Sequence, residues 1–360
     1  SIIAVLISII ACKTGLTFAL LTRYSFGSTG SKAASIFVPV VNLGWYTIQA
    51  ATYGHFVAQV FHMGQVGEGI CMAVSAIVMG IFAMCGIGAI TILGYIAIPA
   101  IVFLSIATAI RSLGVIGGME ALFAYVPSSD MPLFTGITAV IGTWVLSTAT
   151  CIADIMRYAK DTKAAVSATL TGLLGGNILM IVCGAIAAIA MQNSDLTVIL
   201  LGFGLVIPSL ILMTTNIFTT NAANLYSTSL NLSNAFKMER KKMLAILLVL
   251  SALATLTKPY EIGFLFTFLN ILGTVVPPLS GIILSDYFLV HKGHYAAYDK
   301  ASFCKWNPVP WITWAISIAL VYMIPFGLPS LNGIILGAVL YTALMAISKQ
   351  RVTTNLAEEA

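Results

Sequence analysis

The chain has 360 residues, 59% of them hydrophobic and 8% charged, with a formal net charge of +5 and a mean hydropathy of +1.01. A soluble domain carries about 25% charged residues, so an ordinary soluble domain is excluded, and a charge of this size needs no nucleic acid to explain it. Apolar runs of about 20 residues recur along the whole chain, each able to cross ~30 Å of hydrocarbon; they are too long and continuous for barrel strands, which leaves an all-α polytopic membrane protein.

Eleven runs read as spans, at 1–12, 33–60, 68–86, 88–110, 132–156, 163–191, 196–230, 242–258, 262–290, 308–325 and 330–348. Starting outside, alternate loops place 15 of the 17 Lys and Arg residues on one side and only Arg111 and Lys258 on the other. That bias makes the richer side cytoplasmic, with the C-terminus there. The first run covers only about 18 Å at 1.5 Å per residue and has no initiating Met, which is expected of a fragment that begins partway through a span.

The second span contains VVNLGWYTIQAA (40–51), where Asn42, Trp45 and Gln49 share one helix face by their spacings of three and four. An aromatic plane flanked by two amides suits a flat polar heterocycle; an interhelical contact bridged by amides is the structural alternative. The fifth span carries Gly142, Trp144, Ser147, Thr148 and Thr150, poor choices for a lipid-facing helix, with Asp154 and Arg157 expected to pair near its cytoplasmic end. In the sixth, Gly172 and Gly176 form a small-xxx-small step expected to serve close helix packing.

The seventh span holds TTNIFTTNAAN (214–224), in which seven of eleven residues are Thr or Asn. Asn216, Thr220 and Asn224 recur every four residues on one face, beside Thr219. Lipid offers such groups no partner, so this face is expected to line a wet cavity, its oxygens suited to a hard cation and its amides to a polar solute. In the ninth span Pro277, Pro278 and Gly281 interrupt the helix and make a candidate hinge or gate. The six cysteines are expected to be small buried residues, and His291 and His294 an interfacial pair. No phosphate loop, HExxH or Ser/His/Asp grouping occurs, so the chain does not read as an enzyme.

KTGLTFALLTRYSFG (13–27), NLGWYTIQAA (42–51), ADIMRYAKDTKAAV (153–166), NIFTTNAANLYSTSL (216–230) and VPPLSGIILSDYF (276–288) resemble the corresponding segments of the nucleobase:cation symporter-1 family, with bacterial cytosine permeases as the nearest branch. The resemblance runs in order over essentially the whole chain. It implies a leucine-transporter-like fold with a five-plus-five inverted repeat. Residues 1–360 then form a single transmembrane domain holding about eleven of twelve helices, with helix 1 and part of helix 2 missing.

It also implies a nucleobase imported by symport with Na+ or H+ through alternating access, with no other cofactor. Trp45 matches one stacking aromatic, and Trp144 or Val145 stands near the second. Asn42 occupies a position where cytosine permeases carry Gln; Asn216 and Asn221, with Asn224 nearby, match ring-edge amides, and Thr219 and Thr220 match a Na+-binding hydroxyl pair, a partial metal site. The implied partners are a small heterocycle and the lipid bilayer, not nucleic acid, for a monomer in the bacterial inner membrane. A hydroxymethylpyrimidine, hydantoin or allantoin permease is the rival within the superfamily; a channel or a non-transporting sensor is the rival outside it.

Overall fold

The computed structural model describes residues 1–85, 87–127, 132–149, 151–193, 196–204, 206–348 and 353–355. In chain order its helices are α1 (Ile2–Thr14), α2 (Phe18–Val60), α3 (Gln65–Met84), α4 (Ile87–Ile116), α5 (Met119–Phe123), α6 (Leu133–Ala149), α7 (Cys151–Met156), α8 (Thr162–Leu170), α9 (Asn177–Met191), α10 (Leu196–Gly202), α11 (Val206–Phe236), α12 (Arg240–Thr255), α13 (Ile262–Val275), α14 (Pro277–Ser285), α15 (Val309–Met323) and α16 (Pro329–Ser348). Each expected span falls on helix. Among the described residues five helices are long and apolar enough to cross a membrane, or six if α1 and the Phe18–Ala34 part of α2, bent by 86°, count as one span.

The chain divides into two units, each discontinuous in sequence: residues 1–39, 131–170 and 262–360 form one, and 40–130 with 171–261 the other. In the first unit, α1 ends at Gly15, whose φ of 68° is the left-handed cap that glycine adopts without strain. The expected loop 13–32 is instead largely helical. Phe18, Leu21, Thr22 and Ser25 are buried at helical spacing, but the apolar stretch is too short to be read as a span. Asp154 Oδ1 accepts the Phe18 N–H at 3.0 Å, a carboxylate at the positive end of α2. Arg157 donates through Nε to the Asp154 backbone oxygen at 3.3 Å and lies over the Tyr158 ring.

A break in α2 at Gly27 (φ 82°, ψ 174°) is held by the segment before α15. The Ser28 and Thr29 N–H groups donate to the Cys304 and Lys305 oxygens, each at 2.8 Å, while the Asn307 side chain donates to the Ser25 oxygen. A Cβ on Gly27 would lie 2.7 Å from the Cys304 oxygen, so both the φ and the close approach require glycine. The first unit closes with β1 (Ala301–Phe303) paired antiparallel to β2 (Thr353–Asn355).

Side chains of neighbouring helices supply donors at the Pro277–Pro278 break between α13 and α14. Pro277 has no N–H for the Gly273 carbonyl four residues back; Ser330 Oγ donates to that oxygen at 2.6 Å, and Trp314 Nε1 to the Val275 oxygen at 2.7 Å. A Cβ on Gly281 would sit 2.9 Å from Ala338 N, and one on Gly337 would sit 2.9 Å from Pro278 Cα. In the GxxxG step of α16, Gly337 thus meets Pro278 backbone to backbone, and Gly333 meets the rings of Pro277 and Pro278. This packing gives Pro277, Pro278 and Gly281 a role that the hinge expectation did not include.

In the second unit, α3 and α4 pack on α11, α12 packs on α3, and α9 packs on α4. The expected span 196–230 is divided, because the chain turns after Gly202 at Gly204 (φ 67°) before α11 starts. The close-packing expectation for Gly172 and Gly176 is overturned. They lie in a π-helical turn (Thr171–Gly176), and a Cβ at either meets nothing within 4 Å. The wider turn lengthens the small-residue step that regular helical spacing would have aligned. Among the described cysteines only Cys183 is buried, and Cys85 is exposed, so the expectation for the cysteines fails for most of them.

Candidate functional site

The second unit carries both polar stretches singled out above, and hydrogen bonds set their register. Asn221 Nδ2 donates to the Tyr46 backbone oxygen at 3.1 Å, and Tyr53 OH lies 2.8 Å from Thr214 Oγ1. Seven residues forward along α2 therefore meet seven residues back along α11: the helices run antiparallel. At 1.5 Å per residue this places Trp45 and Gln49 level with residues 218–222. Phe218 supports the crossing, edge-on to both Tyr53 and Phe82 at centroid distances of 5.4 and 5.6 Å.

Asn42 is fully buried, and Trp45 and Gln49 are half-buried. Across the pair, Asn221 is 0% exposed and Asn224 8%, Asn216 and Thr219 are half-buried, and Thr220 is exposed. The face Asn216–Thr220–Asn224 is thus half-buried, then open, then buried along α11. Both hydroxyls use their protons within the helix: Thr219 donates to the Thr215 and Asn216 oxygens at 2.9 Å, and Thr220 to the Asn216 oxygen at 3.0 Å. Their oxygen lone pairs keep acceptor capacity, the chemistry a hard cation requires.

Gln49 Oε1 and Asn221 Oδ1 are buried and accept no hydrogen bond among the described residues. The orientation of Asn221 is forced, since only its NH2 end can donate to a carbonyl. Among the described residues nothing compensates the desolvation of either oxygen, a cost of about 1–3 kcal/mol, and a solute N–H placed there would offset it.

In the first unit, Trp144 lies on α6 and is 37% exposed. Val145 is on the same helix, and its side chain lies outside the described residues, as do those of Ser147, Thr148 and Thr150. A cavity of about 720 Å³ in that unit, lined among others by Lys13, Tyr24, His294, Tyr295 and Asp299, includes none of the expected site residues.

Two polar clusters escaped the sequence reading. Asp286, 0% exposed, accepts from Tyr295 OH at 2.5 Å and Tyr341 OH at 2.7 Å, with His291 Nδ1 3.5 Å from Oδ2. Burial, and then the neighbouring Asp286, hold the Tyr295 phenol well above its usual range, so it stays a donor. His291 is thus tied to a buried carboxylate rather than simply solvated, and no group of three metal-ligating side chains occurs among the described residues. Glu68, 8% exposed, accepts from Tyr260 OH at 2.6 Å and lies 2.8 Å from His55 Nδ1 and 3.5 Å from Lys258 Nζ. No local spacing announces either cluster, because the partners lie up to 192 positions apart in sequence.

Comparisons with known proteins agree with this architecture. The fold matches Mhp1, a nucleobase-cation-symport-1 family transporter solved in a closed conformation with bromovinylhydantoin bound, at a TM-score of 0.84 and 20% identity, over 99% of this chain and 85% of that one. It also matches MhsT, solved in complex with L-phenylalanine, at 0.64 and 14%, over 96% and 86%. These likenesses confirm the leucine-transporter-like helical fold. The chain is 29% identical to the cytosine permease of Escherichia coli K12, over 96% of this chain and 81% of the relative. It is 24% identical to the hydantoin permease of Microbacterium maritypicum, over 93% and 74%. A family profile described as "Permease for cytosine/purines, uracil, thiamine, allantoin" matches residues 1–345. With that match over nearly its whole length, the chain belongs to the cytosine/purine permease family of multi-pass membrane transporters.

Proposed function

We propose that the protein imports a nucleobase, cytosine or a related base, across the bacterial plasma membrane by symport with Na+ and alternating access. It acts as a monomer with a cytoplasmic C-terminus, and it moves its solute without covalent chemistry. The observation that carries this reading is the antiparallel register of α2 and α11. It brings an aromatic plane at Trp45, two buried amide oxygens at Gln49 and Asn221, and the hydroxyl pair Thr219–Thr220 to one level of one unit.

Trp45 supplies a face on which any base can stack. The two amide oxygens call for a solute edge rich in N–H donors, a property of the exocyclic amine and ring N–H of cytosine. The hydroxyl oxygens supply part of a Na+ site whose remaining ligands come from elsewhere in the protein. Na+ is favoured over H+ because the buried carboxylates Asp154, Glu68 and Asp286 are already engaged, Asp154 with the Phe18 N–H, Glu68 with Tyr260 and His55, and Asp286 with Tyr295 and Tyr341.

The test is uptake of a panel of radiolabelled bases, hydantoin and allantoin into proteoliposomes under an imposed Na+ gradient, with counterflow exchange measured alongside. Saturable uptake and exchange of a base, driven by Na+, are expected. Binding without exchange would make the protein a sensor, and uptake driven equally well by a pH gradient in Na+-free buffer would overturn the sodium assignment. Preference for hydantoin or allantoin would move the solute to the rival branch.

A further inference from the structure

We propose that Asn221, besides offering its oxygen to the solute, is a positioning residue that couples the cation to the solute. The inference rests on the functional reading above, which places a cation at Thr219–Thr220 and a base on Trp45. Asn221 follows Thr220 directly, and between the two α11 turns from its open face to its buried one. Both Asn221 donors are engaged on neighbouring helices. One goes to the Tyr46 backbone oxygen on α2 at 3.1 Å, the other to Met79 Sδ on α3 at 3.2 Å.

Tyr46 is the residue next to Trp45. Its own hydroxyl donates to the Ala76 backbone oxygen, and its side chain is fully buried. The backbone carrying Trp45 is thus held between α3 and the amide of Asn221. A cation drawing Thr219 and Thr220 together would act on the turn of α11 that carries Asn221. That turn is bonded to the α2 backbone one residue from the stacking aromatic. The Tyr53–Thr214 contact joins the same two helices two turns away.

A direct ligand and a coupling residue predict different linkage. A lost ligand weakens solute binding by the same factor with and without cation, leaving the ratio of the two Kd values unchanged. A lost coupling residue removes the ratio itself, and by reciprocity removes the effect of solute on cation affinity. The experiment measures the Kd of the base selected by the uptake panel, in purified protein, in Na+-free buffer and at saturating NaCl. Two variants are compared: Asn221→Leu, which keeps the volume without a donor, and Asn221→Ser, whose side chain cannot reach the Tyr46 oxygen.

The unaltered protein should show a ratio of about 5–150-fold, the usual span of such couplings, and both variants should bring it to within about twofold of one. A preserved ratio with Kd raised equally in both buffers overturns the inference and leaves the functional reading standing. A ratio of one in the unaltered protein overturns the cation assignment, and the inference with it. A measurement free of variants guards against misfolding. In the unaltered protein without solute, NaCl should slow hydrogen exchange over residues 44–50; exchange there unchanged by NaCl overturns the inference.

Discussion

Adding one methyl group at the α14–α16 crossing tests the close packing that fills the proline break. A Cβ at Gly281 would stand 2.9 Å from Ala338 N and 3.0 Å from the Ile334 carbonyl carbon, with the Ile334 oxygen nearer still. These are backbone atoms, so no rotamer change relieves them, and ordinary Cβ contacts begin near 3.4 Å. Gly281→Ala must therefore push α16 away by about 0.5 Å to relieve the Ala338 nitrogen alone, and further to relieve the Ile334 oxygen. That loosens the contact of Gly333 and Gly337 with Pro277 and Pro278, and with it the Ser330 bond to the Gly273 oxygen. Overpacking of this kind costs about 1–3 kcal/mol, and a weakened buried hydrogen bond adds about 1 kcal/mol. Gly184→Ala is the matched control: it lies inside α9, where a Cβ meets nothing within 4 Å, and it should be neutral or gain up to about 1 kcal/mol in helix propensity. Thermal unfolding in detergent, followed by tryptophan emission, should show Gly281→Ala melting about 5 °C or more below Gly184→Ala, at about 2–4 °C per kcal/mol. Equal melting temperatures would refute the backbone contact and the packing built on it.

Gly27→Ala places a Cβ in a φ/ψ region that is essentially glycine's alone, at about 1–3 kcal/mol, and against the Cys304 oxygen; hydrogen exchange at Ser28 and Thr29 should accelerate, and unchanged protection there would contradict the clamp. Glu68→Gln leaves His55, Tyr260 and Lys258 around a neutral amide. The loss should be about 1.5–3 kcal/mol, from hydrogen bonds to a charged acceptor, with little from the partly exposed Lys258. A double-mutant cycle with Tyr260→Phe should show coupling, and additive losses would remove the cluster from the stability account. Trp45→Ala should lose about 1–3 kcal/mol of solute binding and Trp45→Phe much less; normal binding in a folded Trp45→Ala protein would reduce the residue to packing.

The helical content was legible because each span is a one-dimensional signal, an apolar run long enough to cross a bilayer. The first stretch of α2 was not. Its buried face at Phe18, Leu21, Thr22 and Ser25 is interrupted by Arg23, and no span-length criterion detects it. The polar stretches at 42–49 and 214–224 announced themselves by composition, since amides and hydroxyls have no place in lipid. What composition lacks is register. That Asn221 meets Tyr46 and Tyr53 meets Thr214 depends on how two helices distant in sequence cross. The same holds for Asp286, whose phenol partners come from a loop and from α16, and for Glu68, which gathers groups from α2 and from the segment after α12. Spacing within one element constrains which residues share a face; it carries no information about which face of which other element they meet.

The two cations that break the charge bias show how a membrane protein reconciles topology with packing. In the topology expected from the sequence, Arg111 and Lys258 stand apart from the fifteen other basic residues, and loop charge by itself gives them no reason to be there. Each has a tertiary partner. Arg111 Nη2 donates to the Phe203 oxygen at 2.9 Å, just past the C-terminus of α10, where the helix dipole favours a cation. Lys258, in a left-handed conformation at φ 54°, reaches the buried carboxylate of Glu68. Arg240 belongs to the majority and does similar work, donating to the Ala83 oxygen at the end of α3 and lying over the Tyr226 ring. On that expected topology, Arg240 follows the bias and serves structure as well, whereas Arg111 and Lys258 defy it where a helix end or a buried acid makes the charge locally favourable.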